Sequence, residues 1–246
     1  MDLSTSKQAI TKQLQKEVLE MQGYKRAVGE HLLETGLGEI EESFPDGRFP
    51  TAAVHEFISY ATEEAAATVG FMSGILGRLM QKGGACLWVT PKNTVFPPAL
   101  VQYGIEPHRI IFAEISKPKD LLWTVEEGLK CEALCAVVGD LSELGFTESR
   151  RLQLAVEQSK IPGFIHRQKP RSENTVACYT RWKIKPLPSN AIQDLPGIGY
   201  PRWEVQLMKV RNGKPGKWIV EWKDGDLSFV QTPTIALPLV SKLMAG

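Results

Sequence analysis

Long apolar runs are missing from this chain. No stretch of its 246 residues approaches the roughly 18 needed to cross a bilayer. Met1-Asp2-Leu3-Ser4-Thr5-Ser6-Lys7 is polar and leads into mixed charge, so no signal peptide is visible and a cytoplasmic setting is expected. Cysteine is sparse. Cys86, Cys131, Cys135 and Cys178 lie in apolar surroundings and are too few for a disulfide framework, which leaves reduced thiols as the simpler reading. Metal-ligand sets are missing too. His55-Glu56 lacks the second His of H-E-x-x-H because position 59 is Ser, and Cys131 and Cys135 straddle a helix-to-strand change, whereas zinc needs three or four ligands. No Ser/His/Asp or Cys/His nucleophile set is readable, since His108 and His166 lie near no glycine elbow. There is no internal repeat and no low-complexity segment.

An excess of either charge is also missing, with a net charge of +1, but the two parts of the chain differ. Residues 1–160 hold 16 Lys and Arg against 22 Asp and Glu, a balance of −6, and residues 161–246 hold 13 against 6, a balance of +7. A basic C-terminal part suits an anionic partner; charge scattered over a solvated surface gives the same balance.

The apolar pattern is that of an α/β protein. Residues 6–34 favour helix, with Ile10, Leu14, Val18, Leu19 and Met21 as an apolar stripe broken near Gly23. A connector follows over 36–50, turning at Phe44-Pro45-Asp46-Gly47. Strands are expected at 52–58, 85–90, 109–113, 134–139 and 161–166, with helices at 65–81, 95–103, 118–131 and 146–159 between them. Short apolar strands separated by helices predict a mostly parallel sheet covered on both faces. Beyond a loop at 167–175, residues 176–184 alternate like an exposed strand and 186–201 form a Pro/Gly-rich loop. Residues 202–210 and 217–222 alternate around a turn at 211–216 and predict a β-hairpin. Residues 233–246 form a short apolar tail with helical character. The expected organisation is a helical segment at 1–35, an α/β core with its hairpin at 36–225, and a tail at 226–246.

One further absence carries most of the functional argument. Ala52–Ile58 reads as a strand, Ser59-Tyr60-Ala61-Thr62-Glu63-Glu64 as a loop and 65–81 as a helix. A phosphate-binding loop occupies such a turn and follows G-x-x-x-x-G-K-[ST], whose amides and Lys face phosphate and whose hydroxyl holds magnesium. This loop has neither Gly nor Lys and carries Glu63 and Glu64 instead. Two carboxylates repel a triphosphate, so a degenerate loop without ATP hydrolysis is expected. Asp140, ending the apolar run Leu134–Gly139, stands where a magnesium-ordering Asp would stand. Without the Lys and Ser/Thr of the motif to accompany it, Asp140 is not expected to bind metal, and strand-end Asp is also a common turn former.

Two basic sets suggest contacts. Arg150 and Arg151 lie on the helix at 146–159, and they suit a partner or phosphate as well as ordinary salt bridges to Glu148 or Glu157. The C-terminal part holds His166, Arg167, Lys169, Arg171, Arg181, Trp182, Lys183, Lys185, Lys209, Arg211, Lys214 and Lys217. Basic side chains interleaved with aromatics fit a single-stranded nucleic-acid track, where phosphates meet Lys and Arg and bases stack. Trp182, Trp203, Trp218 and Trp222 equally suit a core.

Several strings together carry a family resemblance: Phe44-Pro45-Asp46-Gly47-Arg48-Phe49-Pro50-Thr51, Val54-His55-Glu56-Phe57, Ala136-Val137-Val138-Gly139-Asp140-Leu141, Thr147-Glu148-Ser149-Arg150-Arg151-Leu152-Gln153-Leu154-Ala155 and Pro201-Arg202-Trp203-Glu204-Val205. Over about residues 36–225 the chain resembles the ImuA family of bacterial mutagenic DNA repair. That resemblance implies a RecA-like fold without a working ATP site and without a cofactor. It implies a non-enzymatic role in SOS-induced translesion synthesis beside ImuB, an inactive relative of Y-family polymerases, and an error-prone replicative-type polymerase. Binding to RecA or to single-stranded DNA through Arg150, Arg151, Arg167, Lys169, Arg171, Arg181, Lys183, Lys209 and Arg211 is a further expectation. Two alternatives stand beside it. One is a RecA-like or KaiC-like ATPase that draws its Lys from elsewhere, such as Lys82 or Lys92. The other is a SulA-type cell-division inhibitor, which lacks the long N-terminal segment and the hairpin.

Overall fold

The structure, a computed structural model, describes residues 35–189 and 199–230. The expected helix at 6–34, the tail at 233–246 and part of the loop at 186–201 lie outside the described residues. Nine strands among the described residues form one sheet in the order β3-β2-β4-β5-β1-β6-β7-β8-β9. They are β1 (Val54–Ser59), β2 (Ala85–Thr90), β3 (Ile110–Glu114), β4 (Leu134–Leu141), β5 (Gly163–Gln168), β6 (Thr180–Leu187), β7 (Arg202–Val210), β8 (Gly216–Lys223) and β9 (Asp226–Phe229). The pairings from β3 through β6 are parallel, and those from β6 through β9 are antiparallel. The α-helices are α1 (Thr62–Met80), α2 (Pro118–Leu129) and α3 (Phe146–Ser159). No described helix is long and apolar enough to cross a membrane.

Both faces of the parallel part are covered, which is why its strands are apolar throughout rather than alternating. On one face Val54, Val137 and Ile165 pack with Leu121, Val125 and Leu129 of α2 and Leu152 and Val156 of α3. The opposite face is aromatic. Phe57 stacks with Phe164 and Trp182, and Phe71 of α1 closes on Trp182 and Trp203. Trp182 and Trp203 are therefore core residues, with Trp222 buried beside Tyr103.

Helix α1 reaches this aromatic layer because it carries glycines at 70, 74 and 77. A Cβ on Gly70 or Gly74 would meet Trp203 or Trp222 at under 3 Å, and one on Gly77 would lie 1.9 Å from the Tyr103 backbone oxygen. Gly77→Ala gains about 1 kcal/mol of helix propensity. It must also displace a backbone carbonyl, so a net loss of about 1–3 kcal/mol is expected. A lower urea midpoint at unchanged m-value is the readout.

The structure departs from the sequence expectation at several borders. Residues 97–103 form a 3-10 helix, not an α-helix, because Pro97 and Pro98 supply no N–H and Gly104 turns left-handed at φ 75°. Strand β5 starts two residues late, after the left-handed Lys160 and after Pro162, and so runs through Arg167. Strand β6 begins at Thr180, where it pairs with His55 of β1. Strand β9 was not expected. It follows Asp224-Gly225, both at positive φ, the two-residue signature of a tight hairpin.

Candidate functional site

The strand ends of β1, β2, β4 and β5 converge beside the N-terminus of α1. Tyr60 and Ala61 link β1 to that helix, and Ala61 is its N-cap. An alanine cap offers no side-chain acceptor to the first-turn amides. Glu64 instead reaches back over the turn: its Oε2 accepts the Tyr60 N–H at 2.8 Å and the Ala61 N–H at 3.4 Å. When the G-x-x-x-x-G-K-[ST] pattern is laid with its first glycine on Ser59, Glu64 takes the second glycine position, Ala65 the Lys and Ala66 the hydroxyl. Ala65 and Ala66 line a groove of about 420 Å³ together with Ser59, Val69, Phe96, Tyr103 and Lys169.

Neither Lys82 nor Lys92 lines this groove. Lys82 follows the C-terminus of α1, the end of a 19-residue helix away from the turn. Lys169 does line it, held at φ 50° with its backbone N–H donated to Ser59 O at 2.7 Å.

Asp140 lies inside a polar ladder on the aromatic face. Its Oδ2 accepts the Trp88 indole N–H at 3.2 Å, and its Oδ1 faces His166 Nδ1 at 3.3 Å. Neither of those last two atoms makes a hydrogen bond, so the two stand in contact without one. His166 Nε2 then lies 2.8 Å from Ser59 Oγ. The strand order β2-β4-β5-β1 is what sets Trp88, Asp140, His166 and Ser59 in a row. Sequence reasoning missed this row. Its only signal is that each residue lies in the C-terminal half of an apolar strand, and the strand order that joins them is not written locally.

The basic set separates into internal and surface residues. Arg167 is fully buried and donates to Glu56 at 2.8 Å, to Ser172 O at 3.1 Å and to Glu143 at 3.4 Å. Arg181 donates to the other oxygen of Glu56 at 2.6 Å and to Asn174 O at 2.6 Å. The expectation that Arg167 and Arg181 meet phosphate is corrected here, because both guanidinium groups are turned inward onto Glu56. His166 and Trp182 are likewise internal.

Lys183 pairs with Glu173 at 2.6 Å over the Tyr60 ring, and its hydrogen bond holds the Glu173 carboxyl below the usual range. Lys209 donates to Val176 O at 2.9 Å, and burial pushes its ammonium down from the usual value. Arg211 donates to Ala177 O at 3.2 Å and lies over the Tyr179 ring. Arg151 bonds Glu126 across α2 and α3, and Lys217 pairs with Glu204 at 2.9 Å. Arg150, Lys169, Arg171, Lys185 and Lys214 are exposed.

No family model matches the chain. The chain is 33% identical over 204 residues to Protein ImuA of Caulobacter vibrioides strain NA1000 / CB15N, covering 77% of this chain and 83% of that protein. Protein ImuA of Caulobacter vibrioides strain ATCC 19089 / CIP 103742 / CB 15 matches to the same extent. Among solved structures, the crystal structure of the RadB recombinase superposes with a TM-score of 0.55 at 16% identity, covering 81% of this chain and 100% of that one. That likeness identifies the fold as RecA-like, a mostly parallel sheet with helices and C-terminal antiparallel strands. At one-third identity over more than two thirds of both sequences, the chain belongs to the ImuA family.

Proposed function

We propose that this protein is a non-catalytic, RecA-like accessory protein of SOS-induced, error-prone translesion DNA synthesis that works by binding. Its partners are an ImuB-like inactive Y-family polymerase and, within the same assembly, RecA or an error-prone replicative-type polymerase. The observation that carries the reading is Glu64. One of its carboxylate oxygens takes two amides of the turn, and alanines stand at the Lys and hydroxyl positions. The turn is then a degenerate phosphate loop satisfied from within. A recruiting scaffold keeps the RecA-like frame and dispenses with the hydrolytic cycle. Single-stranded DNA, if bound, meets Arg150, Lys169 and Arg171 rather than the buried arginines.

A second reading, a RecA-like ATPase with an unorthodox loop, draws on Lys169 at the rim of the groove. Two measurements separate them. The accessory reading expects co-purification with ImuB, no ATPase activity and no thermal shift with ATP and magnesium. Stoichiometric ATP–magnesium binding that is lost in Lys169→Ala would establish the second reading instead.

A further inference from the structure

We propose that Ser59 is an activated nucleophile that takes an acyl group from an activated, apolar ester held in the adjoining groove. The inference concerns a reactive site and stands independently of the accessory role.

A serine hydroxyl is a weak nucleophile until a base accepts its proton and a third group orients that base. Ser59 Oγ lies 2.8 Å from His166 Nε2, and His166 Nδ1 faces Asp140 Oδ1 at 3.3 Å. With Ser59 donating to Nε2, the ring proton resides on Nδ1, 3.3 Å from the carboxylate but outside hydrogen-bond geometry. Trp88 holds the other carboxylate oxygen and fixes Asp140 in turn. All three members are buried, which strengthens their mutual electrostatics. The geometry supplies a hydrogen-bonded nucleophile and base from β1 and β5, with a carboxylate from β4 beside the base but not hydrogen-bonded to it.

Ser59 also ends a strand immediately before a turn into a helix, the placement in which the next backbone N–H serves as an oxyanion donor. Here the Tyr60 and Ala61 amides converge on a single oxygen, that of Glu64. An internal carboxylate thus engages the amide that follows Ser59, the donor a developing oxyanion would use. The groove beside Ser59 is walled by Ala65, Ala66, Val69, Phe96 and Leu100, with Lys169 also lining it, and the apolar wall suits a small apolar acyl or aryl group.

In the step, Oγ attacks the carbonyl carbon and its proton passes to His166 Nε2. The carbon–oxygen bond to the leaving group then breaks, and that proton goes to the departing alkoxide, leaving an ester on Ser59. Because Glu64 competes for the oxyanion donors, the wild-type protein reacts slowly and Glu64→Ala reacts faster.

The test uses the full-length protein with a fluorophosphonate, which forms an Oγ–P bond and releases fluoride, and with p-nitrophenyl butyrate. Mass spectrometry of the wild-type digest should place the phosphonyl group on the peptide bearing Ser59, an assignment that needs no variant. Labelling should vanish in Ser59→Ala, fall at least tenfold in His166→Gln and rise at least threefold in Glu64→Ala, with p-nitrophenol release following the same order. An unmodified Ser59 in the wild-type digest, or labelling at an equal rate in His166→Gln, would overturn the proposal.

Discussion

Glu56→Ala is expected to destabilise the protein by about 3–5 kcal/mol. Glu56 sits in the middle of β1 with no exposed surface, and its two oxygens take Arg167 and Arg181 from the neighbouring strands β5 and β6. Arg167 is as buried as its partner, and its remaining bonds go to Glu143 and Ser172 O. Removing the carboxylate leaves a buried guanidinium with only its longer ion pair to Glu143 at 3.4 Å, and the cost is chiefly that of the poorly compensated charge. Removing both charges should cost less than removing one: Glu56→Leu with Arg167→Met is expected to recover part of the loss of Glu56→Leu alone. Urea unfolding of the three variants measures this directly. Equal losses for the single and double variants, or a Glu56→Ala loss under 1 kcal/mol, would show that the cluster is not what holds β1, β5 and β6 in register.

That cluster also marks where sequence reading stops. The apolar runs of β1, β2 and β4 were legible because strands buried on both faces must be apolar along their length, and the β7–β8 hairpin was legible because one face is wet and the residues alternate. Arg167 was not. Read as the first residue of a loop, it looked like a free cation. In the fold, β5 runs on to Gln168, and the alternation of the strand turns Arg167 to the face where Glu56 lies, 111 positions earlier in sequence. A charge pair between strands so far apart leaves no local trace. The Trp88–Asp140–His166–Ser59 row is hidden for the same reason, since only the strand order β2-β4-β5-β1 makes neighbours of its members. Strand β9 is a different case. Asp224-Gly225 was a readable hairpin signal, and it was passed over because the residues after it resembled a tail. The turn at Ser59–Glu64 was readable in kind, as a loop with acid in place of base. That Glu64 folds back to accept both amides required coordinates.

Lowering the pH from 6.5 towards 3 is expected to cost the protein on the order of 3–5 kcal/mol through His55 alone. Burial pushes the His55 imidazole down from 6.5 to about 3, partly offset by its bond to the Pro50 carbonyl. The neutral ring is fully used. Nε2–H donates to Pro50 O at 2.8 Å, Nδ1 accepts from the Thr180 hydroxyl at 2.8 Å, and that hydroxyl accepts the Trp182 indole N–H at 2.7 Å. A second ring proton would displace the Thr180 hydroxyl donor and place a charge between Phe49 and Phe164. The unfolded chain takes up that proton near 6.5 while the folded one resists it until about 3. The unfolded state therefore binds more protons between those values, and stability must fall with falling pH at up to about 1.4 kcal/mol per unit. Above 6.5 this contribution is complete and flat. Carboxylates add their own acid dependence, so the decisive comparison is with His55→Gln, whose amide offers one donor and one acceptor and does not titrate. That variant is expected to be less stable at pH 7, having lost the ring that stacks on Phe49, yet to show a shallower decline between pH 6 and pH 4 in urea unfolding. Parallel declines for the two proteins would mean that the buried imidazole plays no part in acid unfolding.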